Sequence, residues 1–197
     1  MIRTPEALIP YMLLCACVAG GGLWSLSAQN PAPVELHLTS LGGPFTLTDQ
    51  AGHRRSDADY RGRYVLLYFG YTNCPDVCPT TLTQMQDAVT RLGPKARRIV
   101  PVFVTIDPAR DTPEALAGYL RAFGPRFVGL SGSAAETARI AKEYRVYYAK
   151  HPLAGGTYAM DHSGEVYLLG PDGRLVTFYD PPLDPAAWAK DLAARIG

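Results

Sequence analysis

Two stretches of the chain are apolar without alternation: Tyr64 to Phe69 (YVLLYF) and Ile99 to Ile106 (IVPVFVTI). A strand that must alternate to keep one face wet does not look like this. Such runs suit strands covered on both faces, as in a parallel sheet flanked by helices. Between them the apolar positions change period. Leu82, Met85, Val89 and Leu92 fall at helical spacing, Pro79 suits the first turn, and Gly93-Pro94 ends the element. The three segments predict a βαβ unit. A second helix is predicted from Asp111. Asp111 and Glu114 form a capping-box-like pair, Pro113 occupies the first turn, and Leu116, Tyr119, Leu120 and Phe123 form the buried face. A short strand over Arg126–Gly132 follows, then a helix opened by Ser133 and Glu136. After "YRVYYAK" the chain reads as a loop through Gly155-Gly156. "EVYLL" and "RLVTFY" around "GPDG" then predict a hairpin. Asp184-Pro185 start a last helix with Trp188, Leu192 and Ile196 on one face, and "FTLTDQAGHRRS" predicts a small N-terminal hairpin.

The order is hairpin, β, α, β, α, strand, helix, hairpin, helix. A βαβ unit followed by a ββα unit resembles the thioredoxin fold, an α/β class with a central mixed sheet flanked by helices. The remaining features are the N-terminal hairpin and the first 33 residues. Arg3 and Glu6 are the only charges before Glu35, and Ala7 to Ala28 is apolar enough and long enough to cross a bilayer as a helix. Leu26-Ser27-Ala28 would also serve as a signal-cleavage site, and Leu14-Cys15-Ala16-Cys17 approaches a lipobox. Anchor, cleaved signal and lipid attachment all send the domain out of the cytoplasm. The expected division is residues 1–33 as export segment plus linker and 34–197 as the folded domain. A net charge of +1 with no run of either sign leaves no basic face for nucleic acid.

Export changes the meaning of the cysteines. Cys15 and Cys17 belong to the export segment, so the domain holds only Cys74 and Cys78, in "YFGYTNCPDVCPTTL". In an oxidising compartment two thiols pair unless something uses them. Cys74 precedes the predicted helix and Cys78 lies in its first turn, where free N–H groups and the helix dipole stabilise a thiolate. That geometry allows a structural disulfide, a redox couple or joint coordination of an ion. C-x-x-x-C is not the thioredoxin C-x-x-C. No proline occurs between Pro152 and Pro171 to supply the cis-proline of such oxidoreductases; His162, in "MDHSG", stands at that place instead. Two thiolates and one imidazole make a three-ligand set, with Cu(I) suited to thiolates and Cu(II) or Zn also suited to imidazole. A closed zinc site would need a fourth ligand. Met160 is a thioether nearby in sequence but reads as packing. Asp161 is a possible orienting partner for His162, or a turn residue. His37, His53 and His151 read as surface or structural.

"YFGYTNCPDVCPTTL", "VFVTIDPARDTPEAL" and "DHSGEVYLLGPDG", in this order, closely resemble the Sco/SenC copper chaperones, over about Phe45 to Ile196. The resemblance implies a thioredoxin-like domain anchored at the outer, periplasmic side of the cytoplasmic membrane, or secreted or lipid-anchored after cleavage. It implies copper, as Cu(I) or Cu(II), held by Cys74, Cys78 and His162, with a Cys74–Cys78 disulfide as the metal-free oxidised form. It implies a non-enzyme that serves the binuclear copper centre of cytochrome c oxidase subunit II, with other copper carriers as further partners. Some members act on the thiols of that centre, so a thiol-disulfide oxidoreductase is the alternative. Asp107 and Arg110 in "DPARD" match the family block and read as a loop ion pair.

Overall fold

The computed structural model describes residues 41–197. The expectations for the export segment, with Cys15, Cys17 and His37, lie outside the described residues. No helix among the described residues is long and apolar enough to cross a membrane.

The two apolar runs become β3 (Tyr64–Gly70) and β4 (Ile99–Thr105), paired in parallel from Tyr64↔Ile99 to Gly70↔Thr105. Every β4 residue is buried, and so is every β3 residue after Tyr64, which is the burial that the unbroken apolar pattern predicts. The crossover between them is α1 (Val77–Arg91), whose Leu82, Met85 and Val89 are fully buried. β5 (Val128–Ser131) pairs in parallel with β4. α2 (Pro113–Leu120) lies between β4 and β5 in sequence. The predicted hairpin around "GPDG" forms as β8 (Val166–Leu169) and β9 (Leu175–Tyr179), with β8 antiparallel to β3. The N-terminal hairpin forms as β1 (Thr46–Asp49) and β2 (Arg54–Ser56), with β1 against β5. The result is a seven-stranded mixed sheet in the order β2-β1-β5-β4-β3-β8-β9. β3 sits inside it, so the chain leaving its C-terminal end emerges above the middle of the core.

α3 (Ala134–Glu143) starts with the expected capping box: Glu136 N–H donates to Ser133 Oγ (3.2 Å) and Ser133 N–H to Glu136 Oε2 (2.8 Å). α4 (Pro185–Arg195) is capped by Asp184, which accepts from Ala187 N–H at 2.7 Å, and buries Trp188 and Leu192.

Two local expectations are corrected. The N-cap of α2 is Thr112, whose hydroxyl accepts from Ala115 N–H at 3.3 Å; Asp111 is turned into the core instead. The expected loop after "YRVYYAK" is a separate two-stranded hairpin, β6 (Tyr148–Pro152) and β7 (Tyr158–His162), in register Tyr148↔His162 to Pro152↔Tyr158. Gly155 and Gly156 turn it with φ of 79° and 78°, where a side chain would be strained.

Candidate metal centre

After Gly70 the chain makes a tight turn, Tyr71 to Cys74, closed by Cys74 N–H donating to the Tyr71 carbonyl at 3.2 Å. α1 then begins, with Cys78 as its second residue. The first N–H groups of a helix have no intrahelical acceptor. Here the Cys78 N–H donates to Cys74 Sγ at 3.4 Å, so the helix start turns toward the first sulfur. Cys78 is fully buried and Cys74 is 8% exposed, which leaves Cys74 as the sulfur an incoming group meets first.

His162 ends β7, the strand that the new hairpin brings to this point. Its Nε2 lies 3.4 Å from Cys78 Sγ. Its Nδ1 is 2.7 Å from the Ser163 carbonyl, which can only accept, so Nδ1 carries the proton and the Nε2 lone pair faces the sulfurs. Tyr68 and Tyr71 stand edge-on to the imidazole, with ring centroids 6.2 and 5.9 Å away, and fix the ring plane. The two Sγ atoms and the imidazole nitrogen lie within 4.8 Å of one another. An ion bound at about 2.0–2.3 Å by three such ligands spaces them by roughly 3.5–4 Å, so closing the set takes only a small inward movement. The structure thus gathers Cys74, Cys78 and His162.

The two thiols are free and unequal. The Cys78 thiol donates to Cys74, and with help from backbone N–H groups this holds Cys74 well below the usual thiol range, at about 3. Retaining that proton, and lying deeper, Cys78 is pushed up. Metal-free, the pair is one thiolate and one thiol.

The other sequence candidates are sorted by position. Asp161 does not orient His162; its carboxylate pairs with His151 Nε2 at 2.7 Å on the exposed side of the hairpin. Met160 is buried in the core. His53 pairs with Asp49 at 3.6 Å. Asp107 and Arg110 do form an ion pair. Arg110 Nη1 also donates to the Tyr158 carbonyl (2.9 Å), and the Tyr158 hydroxyl donates to Asp107 Oδ1 (2.8 Å). The guanidinium stacks 3.7 Å from the Tyr158 ring centroid. These contacts tie the loop after β4 to the strand that carries His162. Sequence reasoning missed Thr72, Gly70 and the inward-turned Asp111, because each acts on a residue remote in sequence or by being small.

Fold and site together define a thioredoxin-like domain in which two thiols at a strand–helix junction face a histidine from a separate hairpin as a candidate metal-ligand set. The sequence profile of the SCO1/SenC family matches residues 34–197, and the chain belongs to that family. It is 44% identical over 142 residues to human "Protein SCO1 homolog, mitochondrial", an alignment covering 71% of this chain and 47% of that protein. The chain therefore spans about half the length of that relative. It is similar to the copper-bound structure of Bradyrhizobium japonicum ScoI (42% identity, TM-score 0.74, covering 78% of this chain and 98% of that one). It is also similar to BsSco, a member of the Sco family of cytochrome c oxidase assembly proteins for which a disulfide switch is described. That match has 25% identity and a TM-score of 0.63, over 81% of this chain and 92% of that one.

Proposed function

We propose that this protein is a copper metallochaperone. It binds one copper through Cys74, Cys78 and His162, and delivers it to, or prepares the thiols of, the binuclear copper centre of cytochrome c oxidase subunit II. The observation that carries the reading is the donor set: two sulfurs and a lone-pair imidazole nitrogen within 4.8 Å, at the surface end of a buried strand. Soft sulfur selects Cu(I) and imidazole extends the set to Cu(II). Three ligands leave one side of the ion open; His162 is the most exposed of them, and Cys74 is the more exposed of the two sulfurs. An acceptor thiolate or imidazole entering on the open side can displace the protein ligands one at a time, so copper passes by ligand exchange without being freed into water. The relatives support the copper and oxidase parts of the reading. The apolar segment Ala7 to Ala28 supports a domain tethered at the periplasmic face of the membrane.

The ligand roles are tested by His162→Ala. Two thiolates can hold Cu(I) alone, whereas Cu(II) needs the nitrogen. Cu(II) binding should fall steeply and Cu(I) binding little, read by absorbance titration against competing chelators of each oxidation state. Unchanged Cu(II) spectra would remove His162 from the set.

A second reading, thiol–disulfide exchange with oxidase cysteines, is favoured by the Cys74 thiolate beside the Cys78 thiol. It predicts an intramolecular disulfide in the metal-free protein exposed to air, and no copper binding by that form. Peptide-resolved alkylation decides this. Cys74 and Cys78 that stay alkylatable after prolonged oxidation would show that the sulfurs cannot meet.

A further inference from the structure

Of the three ligands, Cys78 stands on a helix and His162 on a strand, but Cys74 stands on a turn. Something must hold that turn if the sulfur is to keep its place. The Tyr71–Cys74 turn is closed by one hydrogen bond between its ends, and its second residue is Thr72. The N–H at this place in a turn ordinarily points to water. Here it donates to Asp111 Oδ2 at 3.0 Å, and the Thr72 hydroxyl donates to Asp111 Oδ1 at 2.6 Å. A third donor, the hydroxyl of Thr105 at the end of β4, reaches Oδ2 at 2.6 Å.

Asp111 is fully buried, and among the described residues it has no cationic partner within ion-pair distance. A carboxylate taken out of water costs several kcal/mol unless hydrogen bonds replace the lost hydration. Neutral donors alone offset part of that cost here, and burial still holds the carboxyl above the usual carboxylate range. Its backbone is fixed as well. The Asp111 carbonyl accepts from Ser131 Oγ at the end of β5 (2.8 Å), and its N–H donates to the Asp107 carbonyl (3.0 Å). The residue therefore spans the C-terminal ends of β3, β4 and β5. The cap of α2 is made by Thr112, so helix capping does not explain an aspartate at this position.

We propose that Asp111 is a positioning residue for the metal loop. By gripping both donors of Thr72, it fixes the turn that presents Cys74 to Cys78 and His162. This rests on the copper reading for its metal consequence, but positioning of the sulfurs has a metal-free consequence too. A fixed Cys74 has a high effective concentration at Cys78. With oxidised glutathione, the two protein sulfurs form one S–S bond while the glutathione S–S bond breaks, and the two reduced glutathiones take up the two electrons, with one proton from Cys78 and one from solvent. The equilibrium constant of this exchange reads the effective concentration directly.

The test uses the full chain in a Cys15→Ser/Cys17→Ser background, with Asp111→Ala, Asp111→Asn and Thr72→Val. Supporting partners of metal ligands are typically worth about 10–100-fold in affinity. Asp111→Ala is therefore expected to weaken Cu(II) binding at least about tenfold, shift its thiolate charge-transfer band, and lower the glutathione equilibrium constant by a similar factor. Thr72→Val removes one donor and should move both readouts in the same direction by less. Asp111→Asn keeps the acceptor for the Thr72 N–H and should lie nearest the parent. A purely structural residue would lower the unfolding midpoint and leave spectrum and equilibrium constant alone. If Asp111→Ala behaves so, the proposal is overturned. If Asp111→Ala does not fold, unchanged readouts in Thr72→Val overturn it equally. A parent chain that binds no copper but whose thiol equilibrium still responds to Asp111→Ala would sink the copper reading and leave the positioning role standing.

Discussion

The Cys78→Ser variant is expected to fold and to lose copper altogether, going from one tightly held copper per chain to none in the Cys15→Ser/Cys17→Ser background. Cys78 is the centre of the ligand set. Its sulfur is 3.4 Å from the imidazole nitrogen, and its N–H holds the other sulfur. A serine hydroxyl is shorter and harder than a thiolate and is not ionised near neutral pH, so it offers a soft ion almost nothing. The loss should exceed the roughly 10–100-fold that removal of a supporting hydrogen bond costs, because a ligand itself is gone. The packing loss is small, since only one heavy atom changes in the same buried slot and the shorter bond leaves no more than a sub-ångström gap. Cys74 should change as well. Its depressed pKa of about 3 depends first on the Cys78 thiol donating to it, and a hydroxyl is a different donor at a shorter reach. The pH at which Cys74 becomes alkylatable should therefore rise. Copper per chain after gel filtration with a competing chelator, with an alkylation profile on the same sample, checks both parts. One copper retained against the chelator would mean that the sulfurs are not the site.

How far the sequence discloses this centre depends on the range of the signal. β3 and β4 are legible because burial on both faces leaves an unbroken apolar run, which few alternatives share. Cys74 and Cys78 are legible because a strand end, a helix start and two sulfurs fall together within a few residues. His162 is legible only through fold-level reasoning, since nothing in its own neighbourhood marks a ligand. Its carrier, the β6–β7 hairpin, is not legible. That hairpin lies off the main sheet with most of its residues exposed or half-buried, so its apolar pattern is too weak to set a period. Asp161 misleads by adjacency: side chains one apart on a strand point to opposite faces, so the residue beside a ligand faces away from it. Asp111 misleads in a different manner. Asp-x-x-Glu ahead of an apolar run is a local capping signature, but the partners of this aspartate are Thr72 and Thr105, and Thr72 is 39 positions away. A long-range partner of higher value displaced the local one, and Thr112 took the cap.

The Gly70→Ala variant should damage the centre without altering any ligand. Gly70 closes β3 opposite Thr105, immediately under the cysteine turn. Its φ is not positive, so backbone freedom does not explain the glycine. Space does. A Cβ built on Gly70 would stand 2.7 Å from Cys78 Sγ and 2.9 Å from Phe103 Cε2. Neither neighbour can yield cheaply. Phe103 is fully buried against Tyr68 and Tyr119, and Cys78 is fixed to α1. Overpacking of this kind costs about 1–3 kcal/mol. The movement that relieves it must carry the Cys78 sulfur off its present position relative to Cys74 and the His162 nitrogen. The expected result is a lower unfolding midpoint together with a weakened and shifted Cu(II)–thiolate absorption band. Gly164→Ala is the matched control. That glycine lies two residues beyond His162, has nothing within 4 Å of an added Cβ and has no positive φ, so stability and copper binding should both stay at the parent level. Parent-like copper spectra in Gly70→Ala, with only stability reduced, would show that α1 can shift as a body and take the sulfur with it. The glycine would then be a packing requirement of the sheet and not part of how this fold holds its metal site.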